Sequence, residues 1–189
     1  MKKQLLRLFL RFSNRSYSVP YRILSMLPGT LVFLVISPLF LFLIARRIRR
    51  YIPLDPVTPP ALVILAGILL PALLLMISSL HALWVHGRGT PAPIAPTEHL
   101  VTRGPYRLCR NPIELGTNLY FLALGTWFDS LNTGLLCMLM GLLLGTAYIR
   151  LIEEHELRAR FGHAYETYLR TTPFMLPRLR RPAKPRGDG

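Results

Sequence analysis

Residues 113–149 read IELGTNLYFLALGTWFDSLNTGLLCMLMGLLLGTAYI, a pair of apolar runs joined by a short turn that contains an aspartate. The second run, 131–149, has no charged residue and nearly reaches the roughly 20 residues that cross about 30 Å of hydrocarbon. The first run, 113–128, is shorter and carries Glu114 and Asn118. The pattern predicts a membrane hairpin whose first helix is the weaker span.

Two more uncharged runs, 27–45 and 61–80, precede this hairpin. The segment between them, 46–60, reads RRIRRYIPLDPVTPP, which is basic and then proline-rich, so it should end one helix and start the next. We therefore predict an all-α integral membrane protein with about four transmembrane helices in two hairpins.

The composition agrees with a membrane protein. The chain is 51% hydrophobic and 17% charged, whereas soluble domains carry about 25% charged residues. A formal net charge of +14 is compatible with nucleic-acid binding, but the arginines cluster at the ends of apolar runs. Anionic lipid headgroups explain this distribution better, so membrane lipids are the expected partners and nucleic acid is not. The cysteines and histidines show no metal-binding spacing, and we predict no metal site.

The chain divides by composition into four parts. We expect residues 1–26 to form a basic interfacial segment and 27–85 the first membrane hairpin. Residues 86–176 would form the functional core, with an irregular Gly- and Pro-rich connector at 86–100 and an amphipathic helix near 161–170. The basic tail, 177–189, has very few apolar residues to bury and is predicted to be disordered.

The distribution of arginines also predicts an orientation. The turn between the last two helices has no cation and should face outward, whereas the basic connector and C-terminal segment should face the cytoplasm. We expect the cytoplasmic membrane of a bacterium. The arginines within 46–50 would then lie outside, against this rule, and the sequence leaves their placement open.

Residues 101–112 read VTRGPYRLCRNP and form a turn with charged and polar side chains just before an apolar helix. The Gly-Pro pair at 104–105 forces a turn, Pro112 suits the first turn of a helix, and Asn111 is a candidate N-cap. A helix N-terminus together with Arg110 can hold a carboxylate, while Tyr106 offers a ring and a hydroxyl group. This turn is therefore a candidate anion site.

Glu153 and Glu154 lie at the end of the following apolar run and would attract an ammonium or sulfonium group. An anion site beside a cation site is what the zwitterionic end of S-adenosylmethionine requires. Taken alone, the same residues also fit loop punctuation and local salt bridges, so both interpretations stay open at this point.

The combined pattern resembles membrane methyltransferases related to isoprenylcysteine carboxyl methyltransferase and to phospholipid N-methyltransferases. That family reads approximately G-P-Y-x-x-x-R-[HN]-P-x-Y-x-G and then, after an apolar hairpin, E-E-x-x-L-x-x-x-F-G-x-x-Y-x-x-Y and a proline. The resemblance covers about residues 98–177. The matching residues are Gly104, Pro105, Tyr106, Arg110, Asn111, Pro112 and Gly116, then Glu153, Glu154, Leu157, Phe161, Gly162, Tyr165, Tyr168 and Pro173.

The resemblance implies an S-adenosylmethionine site at the cytoplasmic edge of the membrane and a lipophilic acceptor that enters laterally between helices. Glu153 would bind the amino group of the cofactor, and Glu154 would support either Glu153 or Arg110. We also expect Arg110 and Glu114 to be the catalytic residues. The implied cofactor-binding residues are Glu98, Leu100, Val101, Gly104, Tyr106, Asn111, Pro112, Glu153 and Glu154.

Two positions depart from the family pattern. Asn111 stands where many members have His, and Glu114 stands where Tyr is usual. Glu114 could pair with Arg110 four residues earlier, or it could orient or deprotonate a cationic amine acceptor. We predict methyl transfer to oxygen, nitrogen or sulfur of a lipophilic acceptor; the alternative is a non-catalytic structural or regulatory membrane protein. The acceptor and the oligomeric state stay open.

Overall fold

The computed structural model describes residues 17–52 and 56–176, which contain helices and no strand. The predicted tail and most of the predicted interfacial segment therefore lie outside the described residues. The all-helical class is confirmed. The helices are α1 (Val19–Arg49), α2 (Ala61–His86), α3 (Pro112–Phe128) and α4 (Leu131–Thr171), with a short 3-10 helix at Gly104–Arg107 between α2 and α3.

Three of these helices, α1, α2 and α4, are long and apolar enough to cross a membrane. The helix α3 has 17 residues, so its role as the fourth span stays a prediction. Helix α1 begins at Val19, well before the uncharged run, because a proline in its first turn suits a helix start and Arg22 is buried against α2 rather than left in the apolar phase.

Small residues let α3 pack closely between α2 and α4. A Cβ atom added to Gly125 would lie 2.7 Å from the Cα of Gly134 on α4, and one added to Gly116 would lie 2.6 Å from Met76 Cγ on α2. In apolar surroundings, such small residues allow helix backbones to approach. This packing places the start of α3 beside Met76 of α2 and Gly145 of α4.

The arginines within 46–50 lie at the end of the bundle that also holds the α3–α4 turn. Arg49 Nε lies 2.8 Å from Asp129 Oδ2, and Arg49 Nη2 donates a hydrogen bond to Asp129 Oδ1 at 3.2 Å. Ser130 and Thr133 also donate to this carboxylate. The cluster is therefore opposite the Gly-Pro turn, and its most buried arginine is neutralised.

We expect Asp129→Asn to lower the free energy of unfolding by about 2 kcal/mol, because charge-assisted hydrogen bonds to Asp129 would be lost. Burial opposes ionisation, but Thr133, Ser130 and Arg49 together hold the pKa of Asp129 below its ordinary value of 3.8. Folding thus favours the ionised form, and its contribution is present above that ordinary value and lost as the pH falls through the folded pKa. Unfolding in detergent across pH measures both effects. Exposed Arg46→Gln is the control, and equal losses in the two variants would contradict the prediction.

Candidate functional site

The structure brings together the two sequence motifs, which come from distant parts of the chain. Tyr168 donates a hydrogen bond from its hydroxyl group to the backbone oxygen of Tyr106 at 2.6 Å. The backbone N–H of Arg110 donates to the oxygen of Pro173 at 2.9 Å. The Gly-Pro turn is thus held against α4 and against the segment that follows it.

Arg110 acts as a clamp between these parts. Its Nη1 atom lies 2.9 Å from Glu154 Oε1, and its Nε atom donates to the backbone oxygen of Thr172 at 3.1 Å. Both charged side chains are largely buried, with 13% and 12% of their surfaces exposed. The structure therefore pairs Glu154 with Arg110, and Arg110 does not pair with Glu114.

Asn111 precedes α3 as predicted, but its side chain does not cap the helix. Its amide nitrogen donates instead to the backbone oxygen of Phe174 at 2.9 Å. The prediction of a side-chain cap was wrong, because the Oδ1 atom does not accept from the first turn of α3 and the amide group is held by the C-terminal segment instead. Pro112 is buried in the first turn of α3, where its missing N–H costs no hydrogen bond.

Glu153 is the unpaired member of a group of carboxylates. It ends a π-helical turn, Ile149–Glu153, within α4, and such turns are frequent at functional sites. Glu154 and Glu156 pair with Arg110 and Arg160, whereas the Glu153 carboxylate has no hydrogen bond or ion pair within the described residues. Glu114, Glu154 and Glu156 all act on it electrostatically. Glu153 is thus placed to receive a cation.

Tyr106 lies between Glu153 and the connector. Its ring is buried with Ala82 and Val101. Burial, and then the nearby Glu153 carboxylate, raise the pKa of Tyr106 well above its ordinary value. Its hydroxyl group therefore keeps its proton and can donate a hydrogen bond to a ligand.

A polar cavity of about 480 Å³ lies where α2 ends and the connector returns to the Gly-Pro turn. Leu100 and Val101 line it, whereas Tyr106, Glu153 and Glu154 do not. Glu98 does not line the cavity. The backbone N–H of Glu98 donates to the backbone oxygen of Gly87 at 2.7 Å. Gly104 has a φ of 60°, a backbone conformation that favours glycine over other residues at this position. The cavity is also lined by the basic residues His86, Arg88, His99 and Arg103.

Two buried arginines hold the connector through its backbone oxygens. Arg22 of α1 donates to the backbone oxygen of Trp84, at the end of α2, at 2.9 Å and to that of Gly89 in the connector at 3.3 Å. Its guanidinium group also stacks on the Trp84 ring. Arg160 of α4 donates to the backbone oxygen of Thr97 and pairs with Glu156. Sequence reasoning missed both residues, and an arginine next to an apolar run was the signal that could have indicated Arg22.

Glu114 lies at a second cavity, of about 120 Å³, between α1, α3 and α4. Its Oε1 atom accepts a hydrogen bond from Asn118 Nδ2 at 2.7 Å. Gly145 on α4 leaves room for this carboxylate, since a Cβ atom there would overlap it. The lining residues are Phe33, Ser37, Phe40, Leu41, Glu114, Thr117, Phe121, Gly141, Leu144 and Gly145. Across residues 17–52 and 56–176, no group of three or more His, Cys, Asp and Glu residues could hold a metal ion.

Comparisons with known proteins agree with the position of these motifs. A sequence model described as phospholipid methyltransferase matches residues 62–164. The nickel-cobalt-cadmium resistance protein NccN of Alcaligenes xylosoxydans xylosoxydans is 33% identical over 98 residues, which cover 52% of this chain and 42% of that protein. The cobalt-zinc-cadmium resistance protein CzcN of Cupriavidus metallidurans is 37% identical over 98 residues, covering 52% of this chain and 41% of that protein. The chain thus spans about two-fifths of the length of these relatives. No solved structure matches the chain.

Proposed function

The chain belongs to the phospholipid methyltransferase family, whose sequence model covers more than half of it, and we propose that it transfers a methyl group from S-adenosylmethionine to a lipophilic acceptor. Family membership and three apolar helices support a membrane methyltransferase. The observation that carries the proposal is the Glu153 carboxylate, which has no partner within the described residues and lies near the buried Tyr106.

The residues present carry the charges that the proposed cofactor needs. Glu153, which does not line the polar cavity, would bind its amino group, and the cations of Arg88 and Arg103 at that cavity suit its carboxylate. The polar cavity of about 480 Å³ is within the roughly 300–1,000 Å³ typical of small-molecule sites, and Leu100 and Val101 offer backbone groups along its wall. When bound, S-adenosylmethionine supplies an electrophilic methyl group on a sulfonium and leaves as a neutral thioether.

The chain itself would contribute position and shielding. Arg110 and Glu154 hold the Gly-Pro turn against α4, so we assign Arg110 a positioning role rather than the catalytic role predicted from the sequence. The Tyr106 hydroxyl group would donate to the cofactor. Arg22 and Arg160 hold the connector in place, and a fixed connector would help to keep water from the reacting atoms.

We place this site on the cytoplasmic side of a bacterial cytoplasmic membrane, with α3 as the fourth span. Among the described residues, the end of the bundle that holds the Gly-Pro turn carries more arginines than the opposite end, which supports this orientation. The arginines at the turn end are Arg22, Arg88, Arg103, Arg107, Arg110, Arg150, Arg158, Arg160 and Arg170, against Arg46, Arg47, Arg49 and Arg50.

Calorimetric titration of S-adenosylmethionine into the purified protein tests the proposal. We expect micromolar binding both in detergent and in lipid nanodiscs, and transfer of a labelled methyl group to the lipid fraction of added membranes. A sample that unfolds cooperatively but binds no cofactor in either environment would overturn the proposal. That result would favour the non-catalytic membrane protein.

A further inference from the structure

The Glu114 carboxylate lines the cavity between α1, α3 and α4, and the amide of Asn118 lies next to that carboxylate without lining the cavity. Asn118 is fully buried, and within the described residues its Oδ1 atom has no hydrogen-bond partner. Its Nδ2 atom already donates to Glu114 Oε1. Within the described residues, no cation pairs with the Glu114 carboxylate. A buried carboxylate in an apolar cavity has a large desolvation cost unless it meets a donor or a cation.

The cavity opens towards the region that lipid tails would occupy. Phe33 and Phe40 of α1 and Leu144 of α4 line it and are exposed on the surface of the bundle. Its other walls are apolar side chains and glycines, with hydroxyl groups from Ser37 and Thr117. A ligand for this space therefore needs an apolar chain that reaches the membrane and a small head that donates hydrogen bonds.

We propose that this cavity binds the protonated primary amine of a long-chain aliphatic amine, with Glu114 as the partner of the ammonium group. The inference rests on the proposed function, because this amine would be the methyl acceptor. A carboxylate head would be repelled by Glu114 and by Glu153, whose charges act on each other. A thiol would gain little from the carboxylate.

The same walls distinguish a plain amine from an amino-phospholipid. Among the described residues, no Lys, Arg or His lines this cavity, so a phosphate two carbons from the nitrogen would meet no cation there. At about 120 Å³, the cavity is also only a quarter of the size of the polar cavity of about 480 Å³, which favours a small head group over a bulky one.

Glu114 would also prepare the nitrogen for reaction. Its carboxylate takes one proton from the ammonium group, which leaves a lone pair on nitrogen. The lone pair forms the new N–C bond with the methyl carbon while the C–S bond breaks and its electron pair stays on sulfur. The product is a secondary ammonium, and the proton on Glu114 returns to water. Glu114 lies within electrostatic range of Glu153, the proposed partner of the cofactor's amino group.

Binding of chain-matched probes without cofactor tests the inference. In maltoside micelles we would add dodecylamine, dodecanoic acid or a lysophosphatidylethanolamine with a twelve-carbon chain, and follow the thermal unfolding midpoint over a concentration series. We expect dodecylamine alone to raise the midpoint. Glu114→Gln should weaken its apparent affinity about tenfold, since a charge-assisted hydrogen bond is lost. The matched control is Glu166→Gln, which removes an exposed carboxylate on α4.

A second pair of variants tests the position of the carboxylate without changing any charge. Gly145→Ala places a Cβ where the Glu114 carboxylate lies, so the carboxylate must shift from its position in the cavity. Gly67→Ala adds a Cβ in open space on α2 and is the control. We expect the first variant to lose the dodecylamine shift and the second to keep it.

The outcomes separate this inference from the proposed function. Two results would overturn the inference that the cavity binds a long-chain amine. One is equal stabilisation by dodecylamine and by the lysophospholipid, and the other is a dodecylamine-induced rise in the unfolding midpoint that survives in Glu114→Gln. Cofactor binding that persists in a protein indifferent to dodecylamine would leave the methyltransferase proposal intact. If dodecylamine raises the unfolding midpoint of a protein that binds no cofactor, the amine site stands and the methyltransferase proposal fails.

Discussion

The Glu153→Gln variant should bind S-adenosylmethionine at least about 30-fold more weakly than the unchanged protein, yet unfold at no lower a temperature. The loss of affinity follows from the cationic amino group that Glu153 would hold, because truncating one partner of a buried charge pair costs about 2–5 kcal/mol. Calorimetric titration and thermal unfolding of the same samples measure the two quantities.

The unchanged stability distinguishes a binding role of Glu153 from a structural one, because loss of a structural carboxylate would lower the unfolding temperature. Glu153 has no hydrogen bond or ion pair within the described residues, and three neighbouring carboxylates repel it. Removing its charge relieves that repulsion, so the protein without cofactor should gain stability or keep it. Binding sites often trade stability for function in this way.

Glu166→Gln is the matched control for Glu153→Gln. Glu166 lies on the same helix, is exposed, and pairs with Arg158 at 2.9 Å. Because an exposed pair contributes about 0–1 kcal/mol, this change should leave affinity and midpoint almost unaltered. A Glu153→Gln protein with unchanged affinity, or with a loss of affinity matched by a large loss of stability, would contradict the assignment of Glu153 to the cofactor.

Much of this architecture could be predicted from local sequence. The uncharged runs predict α1, α2 and α4, because few folds other than a membrane helix accommodate so many consecutive apolar residues. The Gly-Pro turn and the irregular connector follow from the backbone restrictions of glycine and proline. That the two motifs lie together was predicted from the family resemblance and not from local sequence.

The partners of the charged residues could not be predicted in the same way. A spacing of four favours an Arg110–Glu114 pair only when both residues are helical, and α3 begins at Pro112, after Arg110. Arg110 is therefore free to turn towards Glu154 on α4. Likewise, Arg22 and Arg160 bind backbone oxygens of the connector, and such contacts leave no pattern in the sequence.

Arg110→Ala should have the largest effect on stability, a loss of about 3–5 kcal/mol in the free energy of unfolding. The change leaves the mostly buried Glu154 carboxylate without its closest partner and the backbone oxygen of Thr172 without a donor. Arg110→Lys should recover little, because one ammonium group cannot reproduce two contacts made by a planar guanidinium group. Unfolding in mixed detergent and SDS micelles measures these losses.

The partner variants separate a clamp from a simple loss of charge. Arg158→Ala removes an exposed arginine that lies 3.7 Å from the same Glu154 carboxylate, and it should cost less than about 1 kcal/mol. In the double variant Arg110→Ala/Glu154→Ala, no buried charge is left unpaired, so the loss should be smaller than in Arg110→Ala alone. Losses that simply add would show that Arg110 and Glu154 act independently. The Gly-Pro turn would then be held against α4 mainly by its backbone contacts to Pro173 and Tyr168.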